Sequence, residues 1–213
     1  MFRLLAVRFA PVALTLLGFA LQPKSATAQT TYQFNATYIG ENTAVPLVQN
    51  ISKVTITSSS TDAPYGLTSL INRSYASIDP STGSLSFSPD AATFGLKDLP
   101  LGGATIFGAG DDKLFADVIG NGKLDFQNLS GTSSGSFIIT GGEGRFVGAT
   151  GLFSFLENDI LGADPTAPFK SQAVLSGSFT TPKTVPEPGY ATALIGIGII
   201  GVASIARRSK YAC

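Results

Sequence analysis

Carboxylates, hydroxyls and amines are the only side chains with which this chain could do chemistry. It has no histidine and no tryptophan, and its one cysteine is the last residue, Cys213. Zinc and thiol chemistry therefore lack the histidine and cysteine ligands they rely on, and no intrachain disulfide can form. Gly131-Thr132-Ser133-Ser134-Gly135 matches G-x-S-x-G. A nucleophile elbow also needs a strand-to-helix turn and a base for the serine proton, and neither a histidine nor an S-x-x-K lysine supplies one. Gly196-Ile197-Gly198-Ile199-Ile200-Gly201 matches G-x-G-x-x-G but lies inside an apolar run rather than between a strand and a helix. Gly108-Ala109-Gly110-Asp111-Asp112 matches half of a calcium β-roll repeat, in a single copy. No metal site is expected, with a surface calcium ion near Asp111, Asp112 and Asp117 as the one place the spacing leaves open. A two-carboxylate glycosidase would need a pair of acids flanking the scissile bond. Thirteen Asp and Glu precede Pro186, and their spacing singles out no pair. Asn35, Asn50, Asn72 and Asn128 each open an N-x-S/T sequon, a pattern that chance supplies in a Ser/Thr/Asn-rich chain. No cofactor is expected.

The elements that must position these groups lie between two ends that read as addresses. Of the 14 basic residues, Arg3, Arg8 and Lys24 lie near the start and Arg207, Arg208 and Lys210 near the end. All 14 acidic residues lie between, so residues 29–206 carry eight basic against 14 acidic charges, a net −6. That balance argues against a nucleic-acid partner, which needs clustered Lys and Arg. Arg3 and Arg8 make a positive start, Phe9 to Leu21 an apolar stretch of 13 residues, and Ala26-Thr27-Ala28 a small-x-small site. The pattern is that of a signal peptide over 1–28, with Ala26 and Ala28 read by signal peptidase and Gln29 left first.

The middle, 29–184, reads as one β-rich exported domain, a size that can bury a core. Tyr32, Phe34, Ala36 and Tyr38 alternate with polar residues, and Val54 and Ile56 continue that logic in a second strand. Ser58 to Pro64 is a loop, 66–78 a mixed strand, Asp79 to Gly83 a turn, and Leu85 and Phe87 belong to a short strand. Ala91 to Gly103 has no clean period and is expected to be irregular with one helical turn. Leu114 to Ile119, Leu124 to Asn128, Ser134 to Thr140, Leu152 to Glu157 and Gln172 to Thr180 are strand-like. Asn121-Gly122 between the first two predicts a hairpin turn. In the last strand Ala173, Leu175, Gly177 and Phe179 share a face. Roughly eight to ten short strands suggest a single antiparallel β-barrel or sandwich.

Thr140 to Gly151 is the one glycine-rich loop, with Phe146 as its large apolar residue, available to plug inward. Gly141-Gly142-Glu143-Gly144-Arg145-Phe146-Val147-Gly148-Ala149-Thr150-Gly151 resembles the glycine-rich turn of dirigent and allene oxide cyclase-like β-barrels. The resemblance spans about a dozen residues, implies a barrel and carries over no catalytic residue.

Tyr190 to Ala206 is 17 apolar and small residues, about 25 Å as a helix and the lower limit for a membrane span. Pro186 and Pro188 cannot continue a helix upstream, and Arg207, Arg208 and Lys210 place the tail on the cytoplasmic side. Val185-Pro186-Glu187-Pro188, the apolar run and the Arg207-Arg208 pair together resemble the PEP-CTERM sorting signal of bacteria. The resemblance implies recognition of Pro186, Glu187 and Pro188 by an exosortase in the membrane, with Arg207 and Arg208 as the stop. Residues 185–213 would then be an address that is read and removed. On that resemblance an inner-membrane-anchored precursor would become a cell-surface or extracellular-matrix protein without cysteine. The sequence thus predicts an exported, non-enzymatic surface protein. The alternative is a secreted carbohydrate-binding or carbohydrate-active protein, with extracellular polysaccharide as the partner.

Overall fold

The structure, a computed structural model, describes residues 28–164 and 167–183. The expected sites Ala26, Pro186, Glu187, Pro188, Arg207 and Arg208 and the expected span 190–206 lie outside the described residues. Ala28 is the exposed first residue of the first strand. Gln29–Lys183 is one compact unit.

Nine strands follow in order: β1 (Ala28–Val48), β2 (Ile51–Ser59), β3 (Ser69–Ile78), β4 (Ser84–Ser88), β5 (Gly103–Phe107), β6 (Lys113–Asp125), β7 (Ser130–Glu143), β8 (Thr150–Ile160) and β9 (Phe169–Lys183). They run as an antiparallel meander in which each strand pairs with the next along most of the chain. β9 also lies beside β1, and this pairing closes the sheet on itself. β4 and β5 share one track: β3 pairs with β4 through Tyr75–Ile78 and with β5 through Ser69–Arg73, and β6 pairs with both. The nine strands therefore make eight tracks around a barrel-like ring. Residues 89–102 are an excursion from the shared track, with one short 3-10 turn at Ala91–Phe94 capped by Asp90.

Alternation puts one face of every strand inside the ring. On β1 Phe34, Ala36 and Tyr38 are buried, while Gln33 and Asn35 are exposed. On β9 Leu175 and Phe179 take the same role. One end of the interior is filled by aromatic rings. Tyr32 stacks on Phe179 at 4.8 Å, Phe34 stacks on Phe153 at 4.6 Å, and Phe146 meets Phe179 edge-on at 5.2 Å. Phe146 comes from the short 3-10 turn Gly144–Phe146 that joins β7 to β8, and it is fully buried as the loop's composition predicts. The loop is held by a clasp. The Arg145 backbone N–H donates to Asp112 Oδ1 at 2.8 Å, its Nε donates to Asp112 Oδ2 at 2.6 Å, and Nη2 reaches the Tyr65 carbonyl at 2.9 Å. β1 begins and β9 ends at this plugged end.

Asn121-Gly122 is not a turn. Both residues lie inside β6, opposite Ser134 and Ser133 of β7. The expected strand break is replaced by one continuous strand, and the chain reverses later, between Asp125 and Ser130, where Asp125 accepts from the backbone N–H groups of Gln127 and Asn128. Glycine serves close approach here rather than turning. A Cβ on Gly120 would stand 2.3 Å from the Ser134 carbonyl oxygen and 2.6 Å from the Phe87 ring. One on Gly122 would stand 2.6 Å from the Thr132 carbonyl oxygen.

Phe146→Ala should lower unfolding stability by about 3–5 kcal/mol, the cost of an aromatic cavity in a closed core. Its exposed neighbour Val147→Ala should change it by less than about 0.5 kcal/mol. Chemical denaturation of the two variants checks the plug.

Candidate functional site

At the end away from the plug, the inward positions change character. β3 turns Asn72, Ser74 and Ala76 inward, β1 Asn42, β7 Ser133, and β9 Ser171, all buried except where they face the interior space. β8 continues from Phe153 and Phe155 to Glu157 and Asp159 on the same face. Serine, alanine and asparagine are too small to fill an eight-track ring, and they leave a cavity of ≈ 300 Å³. Its remaining walls are apolar, among them Val54, Ile56, Leu85, Phe87, Phe137 and Phe155. The β8–β9 connection contributes Leu161, Gly162, Asp164 and Ala167.

The polar groups on one wall form a network. Asn42 Nδ2 donates to both Glu157 Oε1 and Asp159 Oδ1, each at 3.4 Å. Ser133 Oγ donates to Glu157 Oε2 at 3.1 Å, and Ser171 Oγ donates to Asn42 Oδ1 at 3.2 Å. Burial, and then the neighbouring Glu157 charge, push the Asp159 carboxyl up to about 7. Tyr38, deeper in the ring, donates its hydroxyl to the Leu67 carbonyl, and burial pushes that phenol above its ordinary range. β3 stands four tracks from β8 around the ring, on the opposite wall. There Asn72, 2% exposed, carries a buried side-chain oxygen with no hydrogen-bond partner. Among the described lining residues there is no lysine or arginine.

The residues singled out from sequence spacing lie elsewhere. Asp112 is spent on Arg145, whose backbone N–H and then guanidinium hold its carboxyl below the usual range. Asp111 is exposed in the turn before β6, and Asp117 is exposed on β6 opposite Ile138. Among the described residues no group of three or more acids, histidines or cysteines could hold a metal ion. Ser133, the centre of the G-x-S-x-G match, sits mid-strand in β7 rather than at an elbow. Asn72 opens a sequon but is buried in the ring, so no glycan could be added to it in the folded domain. Glu157 and Asp159 carried no spacing signal of their own. The signal was the alternation Phe153, Phe155, Glu157, Asp159, which extends an apolar inward face into two acids.

No protein-family model, curated protein or solved structure matches this chain. Among the described residues no helix is long and apolar enough to cross a membrane.

Asp159 makes stability depend on pH with a definite sign. Its carboxyl is raised in the folded state from an ordinary 3.8 to about 7. It therefore contributes stability that is full below 3.8, declines as pH rises, and is gone above about 7. Asp62, Asp79, Asp112 and Asp125 are held low by neighbouring hydrogen bonds, so they lose their contribution only below 3.8, outside that window. Asp159→Asn should raise the unfolding temperature more at about pH 8 than at about pH 5. Thermal unfolding of wild type and variant at the two values checks it; an equal shift at both would mean that Asp159 does not titrate in this range.

Proposed function

We propose that this chain is the precursor of an exported bacterial surface or matrix protein whose β domain holds a small molecule inside its ring. The observation that carries the binding reading is the cavity itself. A ring that needs only stability can fill its interior with leucine and phenylalanine, as the plugged end does. The other end instead keeps two buried acids, two asparagines and several serines around open space. Burying such groups without full partners costs free energy, and a site of that kind is retained for what it binds. Asn42, Glu157 and Asp159 orient one end of the ligand, and the apolar walls take its body.

The carbohydrate-active reading draws on the same pair of acids. A glycosidase places its two carboxyls on either side of the scissile bond. Glu157 and Asp159 are two residues apart on one strand and share the Asn42 amide, so both approach a ligand from one wall. That arrangement supports an anchoring patch rather than an acid and a base on opposite faces of a sugar. The tail supplies the sorting half of the proposal. Pro186-Glu187-Pro188, the apolar run and Arg207-Arg208 would bring the precursor to an exosortase after signal peptidase has acted at Ala28.

Native mass spectrometry of the protein recovered from producing cells should show a bound small molecule that Ser74→Phe excludes. A bare mass in both, with Ser74→Phe only raising the unfolding temperature, would reduce the cavity to a packing gap. The sorting half has a separate test. Pro186→Ala combined with Glu187→Ala should leave a product that keeps its tail; an unchanged mature mass and location would make the tail a plain anchor.

A further inference from the structure

The hydrogen-bond donors beside the cavity's acids are already spent. The Asn42 Nδ2 group spends its two N–H donors on Glu157 and Asp159, and the hydroxyls of Ser133 and Ser171 are spent on Glu157 and Asn42. The carboxylates keep acceptor capacity beyond these bonds, since each ionised group offers about four lone-pair sites. On the opposite wall the Asn72 side-chain oxygen is a second buried acceptor, and it has no partner at all. So the acids on one wall and Asn72 on the other hold unused acceptor capacity, beside the hydroxyls of Ser52, Ser58 and Ser74, which can donate or accept. Among the described lining residues there is also no positive charge. The two ion pairs found among the described residues, Lys113–Glu143 and Arg145–Asp112, lie elsewhere. Among the described residues the titratable groups lining the cavity are Tyr38 from β1, Glu157 and Asp159 from β8, and Asp164 from the β8–β9 connection. None can carry a positive charge.

Resting on the reading of the cavity as a binding site, we propose that its ligand is an organic cation: a primary or secondary ammonium on an apolar body. An ammonium brings several N–H donors, no acceptor and one positive charge, the complement of Glu157, Asp159 and the Asn72 oxygen. A neutral sugar would bring nearly as many acceptors as donors and no charge to set against the acids. A carboxylate ligand would add a like charge beside Glu157. A bare metal ion would need a set of acids that the described residues do not assemble. The apolar body would lie against Phe137, Phe155 and Val54, where the aromatic faces also favour a cation. Burial that raises the Asp159 carboxyl to about 7 has a corollary: a bound cation stabilises its ionised form, so ligand binding would release a proton near neutral pH.

Three probes that share one six-carbon body separate the ligand class from the existence of a site. The full chain is titrated near pH 8 with n-hexylamine, 1-hexanol and sodium hexanoate, and binding is followed by calorimetry. Hexylamine should bind roughly ten- to a hundredfold more tightly than hexanol, the range of one charge-assisted hydrogen bond, and hexanoate most weakly. Glu157→Gln should bring hexylamine close to hexanol while leaving hexanol nearly unchanged. Asn72→Ala, which removes the opposite acceptor, should narrow the same gap and stands in if Glu157→Gln fails to fold. Hexanol or hexanoate binding as tightly as hexylamine overturns the cationic class and leaves a binding cavity standing. A hexylamine preference that survives both variants overturns the assignment to these walls. Binding of none of the three, with the protein folded, overturns the binding reading together with the class.

Discussion

Closing a sheet into a ring forces a decision at every inward position. Alternation sends half the residues of each strand inside, and eight tracks leave an interior that ordinary side chains can just fill. The contact that closes this ring is between the first and last strands, where Tyr32 and Phe34 of β1 lie against Phe179 of β9 and Phe153 of β8. Without that seam the strands would form an open meander with two unpaired edges. With it, the same aromatic residues both seal the ring and fill one end. The Asp112–Arg145 clasp serves this closure by fixing the loop that inserts Phe146.

The other end follows from what the aromatic end uses up. Large residues fill the inward positions near the plug, and beyond them serine, alanine, asparagine and acid share the inward positions with apolar side chains such as Val54, Leu85 and Phe137. The interior therefore divides into a packed half and an open half within one continuous sheet. A charged side chain in the open half is costly, because water is scarce and the dielectric is low. The protein offsets part of that cost with Asn42 and Ser133, and part by raising the Asp159 carboxyl so that the pair carries less charge at neutral pH. The remainder is an unpaired amide oxygen on Asn72 and the Glu157–Asp159 pair, with no lysine or arginine among the described lining residues.

Much of the fold was legible from period-two alternation. The faces of β1 and β9 were correct residue by residue, as were the turn at Asp79 to Gly83, the irregular stretch after Ala91 and the inward role of Phe146. Asn121-Gly122 misled because glycine has two uses, turning and letting neighbours approach, and a short sequence window cannot tell them apart. Only the strand at Ser133 and Ser134, with the Phe87 ring across from Gly120, decides that these glycines are needed for space. The role of Asp112 was hidden for a related reason. Its partner Arg145 is 33 residues away, so a local pattern of aspartates and glycines could not reveal that its oxygens were already taken.

By itself the sequence determined what is chemically absent and what repeats locally. The chain carries no imidazole and, before Cys213, no thiol. Its middle alternates in the manner of strands. Its ends carry the composition from which the export and sorting readings are drawn. These are properties of composition and of neighbours a few residues apart, and they need no folding to be read. Tertiary structure alone decided which inward positions meet across the ring. Asn42, Asn72, Ser133, Glu157 and Asp159 come from four strands, and Asn42 and Asp159 are 117 residues apart. Their meeting depends on strand register and on the closing seam between β9 and β1, both set by packing over the whole ring rather than by any local spacing.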